Sequence, residues 1–317
     1  MIKLVVLIVL IIFLLYFTRS RETYQENVGI LWSKGWPMYL GVDEKIVDIS
    51  QTYYENTNYE EKISSQLDSS SDYVWLTNDF NLNAQYDFLD SNLKRPITIV
   101  SGDGDQCIPD DLEPGIFKRL INNPFVKEWY AQNRGLSTEP KLKFLPIGVD
   151  FHFPHKDTKD YKEASRQLEK IREDADDNAR KLKILSDCHL NNSDGRYGSN
   201  RAIIKDLGYE TIDYQNEKIP RLEIWKKFTE YVFGVSPHGN GLDCHRTWEM
   251  LYLGMIVIVK SSSLDEMYKD LPVVIVNDWS ELNSQENLEK WAREYSRLTS
   301  KEYVWTKLRP DNYISYI

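Results

Sequence analysis

The sequence predicts an α/β protein of two halves, the second a doubly wound parallel sheet, behind an apolar N-terminal segment. Three observations predict it. From Leu182 to Val276, short apolar runs bounded by turns alternate with helical patterns, as parallel strands joined by crossover helices do. Upstream, the runs from Tyr73 to Thr77 and Ile97 to Val100 each end in a polar turn, as buried parallel strands do when their C-terminal ends line a cleft. Leu4 to Thr18 is 15 residues without a charge.

That first run is at the short limit for a membrane span. It stops at Tyr16-Phe17-Thr18-Arg19-Ser20-Arg21 with no A-x-A-like cleavage site, so residues 1–21 read as a retained signal-anchor rather than a cleaved signal peptide. Lys3 and the amino terminus balance Arg19 and Arg21, so charge alone leaves the orientation open. Residues 22–70 are polar and tyrosine-rich and read as a stem running into the first domain, with a candidate helix from Glu60 to Leu67. Residues 71–152 form the N-terminal α/β half. After its two strands comes a helical pattern from Ile116 to Arg134, broken at Pro124 and Gly135, then a strand and turn from Phe144 to Gly148.

Residues 153–317 form the C-terminal half. A charged helix with one narrow apolar stripe spans Tyr161 to Lys181. The expected series is then strand Leu182 to Ser186, helix Asn200 to Leu207, helix Arg221 to Glu230 and strand Tyr231 to Val235. A helix from Asp243 to Leu253, a strand from Met255 to Lys260, a helix from Leu264 to Asp270, a strand from Val273 to Val276 and terminal helices from Gln285 complete it.

The formal charge is −10. Residues 1–21 carry three of the 39 basic residues and no acid, so the remainder holds 36 against 49 acidic ones, about −13. Such a body repels a phosphate backbone, which argues against nucleic acid as a partner. A nucleotide remains compatible, because charges beyond about 8–10 Å are screened and a local arginine cluster decides. Cys107, Cys188 and Cys244 have no CxxC and no metal-like spacing, so they read as free thiols. Asn191-Asn192-Ser193 supplies one sequon, at Asn191.

The densest chemistry lies in Ser236-Pro237-His238-Gly239-Asn240-Gly241-Leu242-Asp243-Cys244-His245-Arg246-Thr247-Trp248-Glu249. It reads as a turn between a strand and a helix, which aims free N–H groups at whatever sits above the sheet edge. Gly239 and Gly241 let the backbone approach a ligand, and Asp243 suits the N-cap. Arg246 and Glu249, three apart, share a helix face; a cation for phosphate beside an acceptor for sugar hydroxyls fits a nucleotide diphosphate. The plainer alternatives are an Arg246–Asp243 salt bridge and an Arg246–Glu249 surface pair. His238 and His245 flank the turn as phosphate contacts or as turn supports. With Cys188 and His189 they show no zinc-like pairing, so no metal is expected. Asp187 and His189 follow a strand end and face the same cleft.

This segment, with the strand after Gly254 and Leu264-Asp265-Glu266-Met267-Tyr268-Lys269-Asp270-Leu271-Pro272-Val273-Val274-Ile275-Val276-Asn277-Asp278-Trp279, resembles the donor-binding half of exostosin-like glycosyltransferases. Weaker echoes are Leu145-Pro146-Ile147-Gly148-Val149-Asp150-Phe151-His152 and Ser186-Asp187-Cys188-His189. The likeness covers roughly Leu142 to Trp279. It implies the GT-B architecture, two Rossmann-like domains facing a cleft. It also implies inverting, metal-independent transfer of a sugar from a nucleotide-diphosphate sugar to an acceptor hydroxyl, with no cofactor. Arg201, opening the first helix after the Asp187 to Ser199 loop, is then the expected diphosphate clamp, with Arg196 as runner-up, and Glu249 the ribose acceptor. Donor contacts are expected from Asp187, His189, Arg201, His238, Gly239, Asn240, Gly241, Asp243, Arg246 and Glu249. A general base is expected from the acceptor half, where Ser101-Gly102-Asp103-Gly104-Asp105 follows a strand and either aspartate qualifies. Asp-Gly pairs are also ordinary turn formers, and Asp103-Gly104-Asp105 is only formally the Asp-x-Asp of metal-dependent transferases. The partners implied are a nucleotide sugar, a glycan, glycoprotein or glycolipid acceptor, and a membrane that leaves the catalytic domain lumenal. A catalytically silent nucleotide-sugar or glycan binder on the same scaffold is the alternative. A Rossmann oxidoreductase is disfavoured by the lack of G-x-G-x-x-G.

Overall fold

A computed structural model describes residues 29–42, 58–78, 81–151, 158–187 and 200–314. The expected membrane segment, the Asn191 sequon, Cys188, His189 and Arg196 lie outside these residues. Among the described residues no helix is long and apolar enough to cross a membrane.

The first half runs α1 (Gly35–Tyr39), α2 (Tyr59–Asp68), β1 (Tyr73–Thr77), α3 (Leu82–Asn92), β2 (Ile97–Gly102), α4 (Pro114–Asn122), β3 (Val126–Ala131) and β4 (Leu142–Phe144). Its four strands are parallel in the order β1-β2-β3-β4. Right-handed crossovers that each advance one strand leave their helices on one face. Val74, Leu76, Ile97, Ile99 and Trp129 pack in the cluster that takes in residues of α2, α3 and α4. Tyr73, Trp75, Val100 and Tyr130 belong to the other cluster, so both faces of this sheet are covered, as parallel sheets require.

The second half runs α5 (Tyr161–Glu173), β5 (Lys181–Ser186), α6 (Asn200–Asp206), β6 (Ile212–Tyr214), α7 (Arg221–Phe228), β7 (Tyr231–Val235), α8 (His245–Tyr252), β8 (Ile256–Lys260), β9 (Val273–Val276), α9 (Gln285–Tyr295) and α10 (Lys301–Lys307). The five strands are parallel in the order β6-β5-β7-β8-β9. The chain steps outward from β5 to β6 and then back past β5 to β7. This reversal makes the gap between the C-terminal ends of β5 and β7 a topological switch point, where open α/β sheets bind ligands. The molecule is thus mixed α/β with two parallel sheets, compatible with two Rossmann-like domains.

Several elements differ from the sequence reading. Val126–Ala131 is a strand, not the end of a helix. Asn123 before Pro124 is held extended, which stops α4, and Trp129 is locked inside the sheet by its indole bond to Ser101 Oγ at 3.0 Å. The charged helix α5 ends at Glu173 rather than Lys181, because Asp177 in a short 3-10 turn takes Arg172 and Arg180 and turns the chain into β5. The expected helix from Leu264 is a single 3-10 turn, Asp265–Tyr268.

Residues 29–42 are not stem. Ile30, Leu31, Trp32, Trp36 and Tyr39 are buried in one cluster with Trp248, Tyr252 and Leu308 from the second half. Leu31 N donates to Tyr252 Oη at 2.7 Å, and that hydroxyl donates to Leu308 O at 3.1 Å. Gly148, at φ +71°, turns the interdomain segment against this strap, and Val149 N donates to Leu31 O at 2.8 Å. The strap therefore welds both halves. On the other side of the seam, loops following β2 and β3 meet loops following β7 and β8, so the C-terminal edges of the two sheets face each other. Asp243 N donates to Asn133 Oδ1 at 2.8 Å and Ser263 Oγ to Arg134 O at 2.7 Å.

Candidate functional site

The switch point gathers the donor-side residues expected from sequence. β5 delivers Asp187 directly past its last residue. Arg246, in the first turn of α8, pairs through Nε with Asp187 Oδ1, and both side chains are largely buried. Neither alternative partner for Arg246, Asp243 or Glu249, is the one found. Arg201 lies in the first turn of α6, and its guanidinium reaches the glycine turn: a Cβ built at Gly239 comes within 2.6 Å of Arg201 Nη2 and 3.4 Å of Cys244 Sγ. A side chain at residue 239 would make that guanidinium shift. Burial pushes the Cys244 thiol up, against the pull of the Arg201 and Arg246 charges beside it.

Glu249 is buried one turn after Arg246 and is gripped instead by Arg221, the first residue of α7. Arg221 also donates to Asp150 Oδ2 at 2.7 Å, so it joins α7, α8 and the interdomain segment. Burial alone lowers the Arg221 pKa, but the Glu249 and Asp150 carboxylates outweigh it and hold the guanidinium above its ordinary value. Sequence reasoning passed over Arg221. The available signal was an arginine at a helix start, unfavourable to the helix dipole unless an anion answers it.

The remaining candidates serve the backbone. Asp243 is not the N-cap of α8, because the helix begins at His245 with Cys244 at that position. Its carboxylate is buried and takes Ile147 N at 2.7 Å on Oδ2 and the Trp248 indole N–H at 2.8 Å on Oδ1. Desolvation raises this carboxyl to about 7, against the bonds from Ile147, Trp248, Cys244 and Tyr268. His238 Nδ1 is 2.9 Å from Leu242 O, and burial holds its pKa below the usual histidine range, so a neutral ring buttresses the turn. His245 Nδ1 bonds Gly148 O at 2.8 Å. His189 lies outside the described residues.

On the facing edge, Asp103 and Asp105 differ sharply. Asp103 sits at φ +57° and is 7% exposed; it receives Ser33 Oγ at 3.1 Å and stands 3.8 Å from the ammonium of Lys34, which is 0% exposed. Its own N–H donates to Gln132 Oε1 at 2.8 Å. Asp105 is exposed, and across the seam Asn240 of the glycine turn donates to its Oδ2 at 3.4 Å. Asn240 and Gly241 thus lie against the loops that follow β2 and β3. Among the described residues no three His, Cys, Asp or Glu side chains cluster as metal ligands.

Arg201, Arg221 and Arg246 therefore meet Asp150, Asp187 and Glu249 around one strand-order reversal. In this cluster Arg221 pairs with Asp150 and Glu249, and Arg246 with Asp187. No model of a known protein family matches this chain, and no curated protein matches it.

Proposed function

We propose that this chain is a membrane-anchored, inverting, metal-independent glycosyltransferase of the GT-B type, related to the exostosin-like enzymes. It moves a sugar from a nucleotide-diphosphate sugar to an acceptor hydroxyl. One observation carries the reading: two guanidiniums, Arg201 and Arg246, converge with the Gly239 turn at the switch point of a doubly wound sheet. Residues 1–21 are its anchor, with the two α/β halves on the lumenal side.

In this reading Arg201 and Arg246 hold the diphosphate, Arg246 giving up Asp187 as phosphate arrives. Glu249, its Oε1 fixed by Arg221, turns Oε2 to a ribose hydroxyl. Asp105 rather than Asp103 takes the acceptor proton, because Asp103 is committed to Ser33 and Lys34. The acceptor oxygen forms its bond to C1 as the C1–O bond to the diphosphate breaks. The electron pair leaves with the diphosphate, whose growing charge meets the two guanidiniums.

Full-length protein is assayed against a panel of nucleotide-diphosphate sugars, with Arg246→Ala beside it. Turnover lost in the variant supports the enzyme. The commitment of Asp103 favours one second reading, a silent nucleotide-sugar or glycan binder; affinity without turnover would select it. Absence of affinity for every donor refutes both.

A further inference from the structure

We infer that Asn133 is a positioning residue that fixes the candidate base Asp105 against the donor-side turn; the inference rests on the glycosyl-transfer reading above. Asn133 follows β3 and is 1% exposed at φ +52°, a left-handed backbone held by a non-glycine residue. Its side-chain amide joins the two edges. Its Oδ1 accepts from Asp243 N at 2.8 Å, and its Nδ2 donates to Gly104 O at 3.1 Å. Its carbonyl accepts from the Cys107 thiol at 2.7 Å and from Ile108 N at 3.3 Å.

Gly104 O also takes Gln132 Nε2 at 2.8 Å, so both lone pairs of that carbonyl are used. The carbonyl belongs to the peptide plane that leads into Asp105, and pinning the plane sets the direction in which the aspartate leaves the chain. From the donor side, Gly241 presses on the same side chain: a Cβ there would stand 2.7 Å from Asn133 Nδ2. Asp243, bonded through its N–H to Asn133, holds the α8 residue Trp248 through its carboxylate. A continuous hydrogen-bonded path thus links the acceptor loop to the helix that carries Arg246 and Glu249.

The test uses full-length protein carrying Asn133→Gly, which accepts the same φ but removes the side chain, and Gly241→Ala, which pushes on the side chain from the other edge. Positioning errors near 1 Å cost on the order of 100-fold in rate. Both variants are therefore expected to lower kcat by roughly 10- to 100-fold with donor KM within about threefold, and Asn133→Gly, which leaves the buried Asp243 N–H without its partner, also lowers Tm. Hydrogen exchange at Asp243 N and over residues 103–107 should accelerate in Asn133→Gly, while β7 and β8 keep their protection. Unchanged kcat, or a loss of kcat matched by a rise in donor KM of about tenfold or more, overturns the inference. Should the unaltered protein transfer no sugar, the glycosyl-transfer reading fails; unchanged exchange at Asp243 N would then sink the latch itself.

Discussion

Asp243 makes the stability of this protein fall as pH rises through neutrality. Its carboxyl is 4% exposed, held between the interdomain segment and the indole of Trp248, and lifted to about 7 by burial. In the unfolded chain it titrates near about 3.9. Between these values the folded protein holds a proton that the unfolded chain has released. Stability therefore decreases with pH across that interval and levels off above the folded value. With those two pKa values the linkage integral gives a loss on the order of 3 kcal/mol from pH 5 to pH 8. Asp243→Asn cannot titrate; it loses one bond, because its amide must face an N–H, but that cost is independent of pH. Urea unfolding of both proteins, followed by tryptophan fluorescence at each pH unit, isolates the slope from every other titrating group. The unaltered protein should lose on the order of 3 kcal/mol relative to the variant over the range. A flat difference, or one that grows with pH, would mean that the four hydrogen-bond donors keep this carboxylate ionised throughout.

Three further outcomes test the seam and the site separately. Tyr252→Phe removes the hydroxyl shared by Leu31 N and Leu308 O, and leaving those buried groups unanswered should cost about 1–3 kcal/mol in the same urea assay. Arg221→Ala leaves Glu249 and Asp150 without their cation; because the trio is largely buried the loss should reach about 3–5 kcal/mol, and adding Glu249→Gln should restore part of it. Gly239→Ala drives a methyl into the Arg201 guanidinium, so calorimetry should find nucleoside-diphosphate affinity reduced at least tenfold with Tm unchanged, whereas an unaltered affinity would remove Arg201 from the site.

The C-terminal half was legible because its strands are short apolar runs closed by turns. The Tyr231–Val235 and Val273–Val276 strands fall where the periodicity put them, and Arg201, Gly239 and Arg246 are brought together as their strand ends implied. What escaped has physical reasons. β3 reads Val-Lys-Glu-Trp-Tyr-Ala, with polar residues where its partially exposed positions lie, so it carries no apolar run. α3 went unassigned because the amide of Gln85 occupies its buried stripe, satisfied by the Thr77 carbonyl at 3.3 Å. The 29–42 strap has neither helical nor strand periodicity; its burial is decided by partners more than 100 residues away, such as Pro146, which accepts the Trp36 indole N–H. Arg221 and Asn133 belong to the same class. Their partners lie 71 and 110 residues away, and local pattern carries no information at that range.

The charge arrangement is compatible with the proposed anion site in so acidic a chain. Taken as a whole the molecule repels phosphate, yet around the β5–β7 gap three guanidiniums stand against three carboxylates, so the local field is near balance. Screening confines the distant acids to a minor role beyond about 10 Å. The carboxylates do more than neutralise. Glu249 and Asp150 fix Arg221, and Asp187 fixes Arg246, so the cations are held in place before any ligand arrives and little side-chain entropy remains to be lost on binding. An unpaired arginine cluster would bind anions more strongly but without a defined geometry. In the proposed site a phosphate has to displace Asp187 from Arg246, which would trade affinity for selection of ligands that reach the Gly239 turn and Arg201 at the same time.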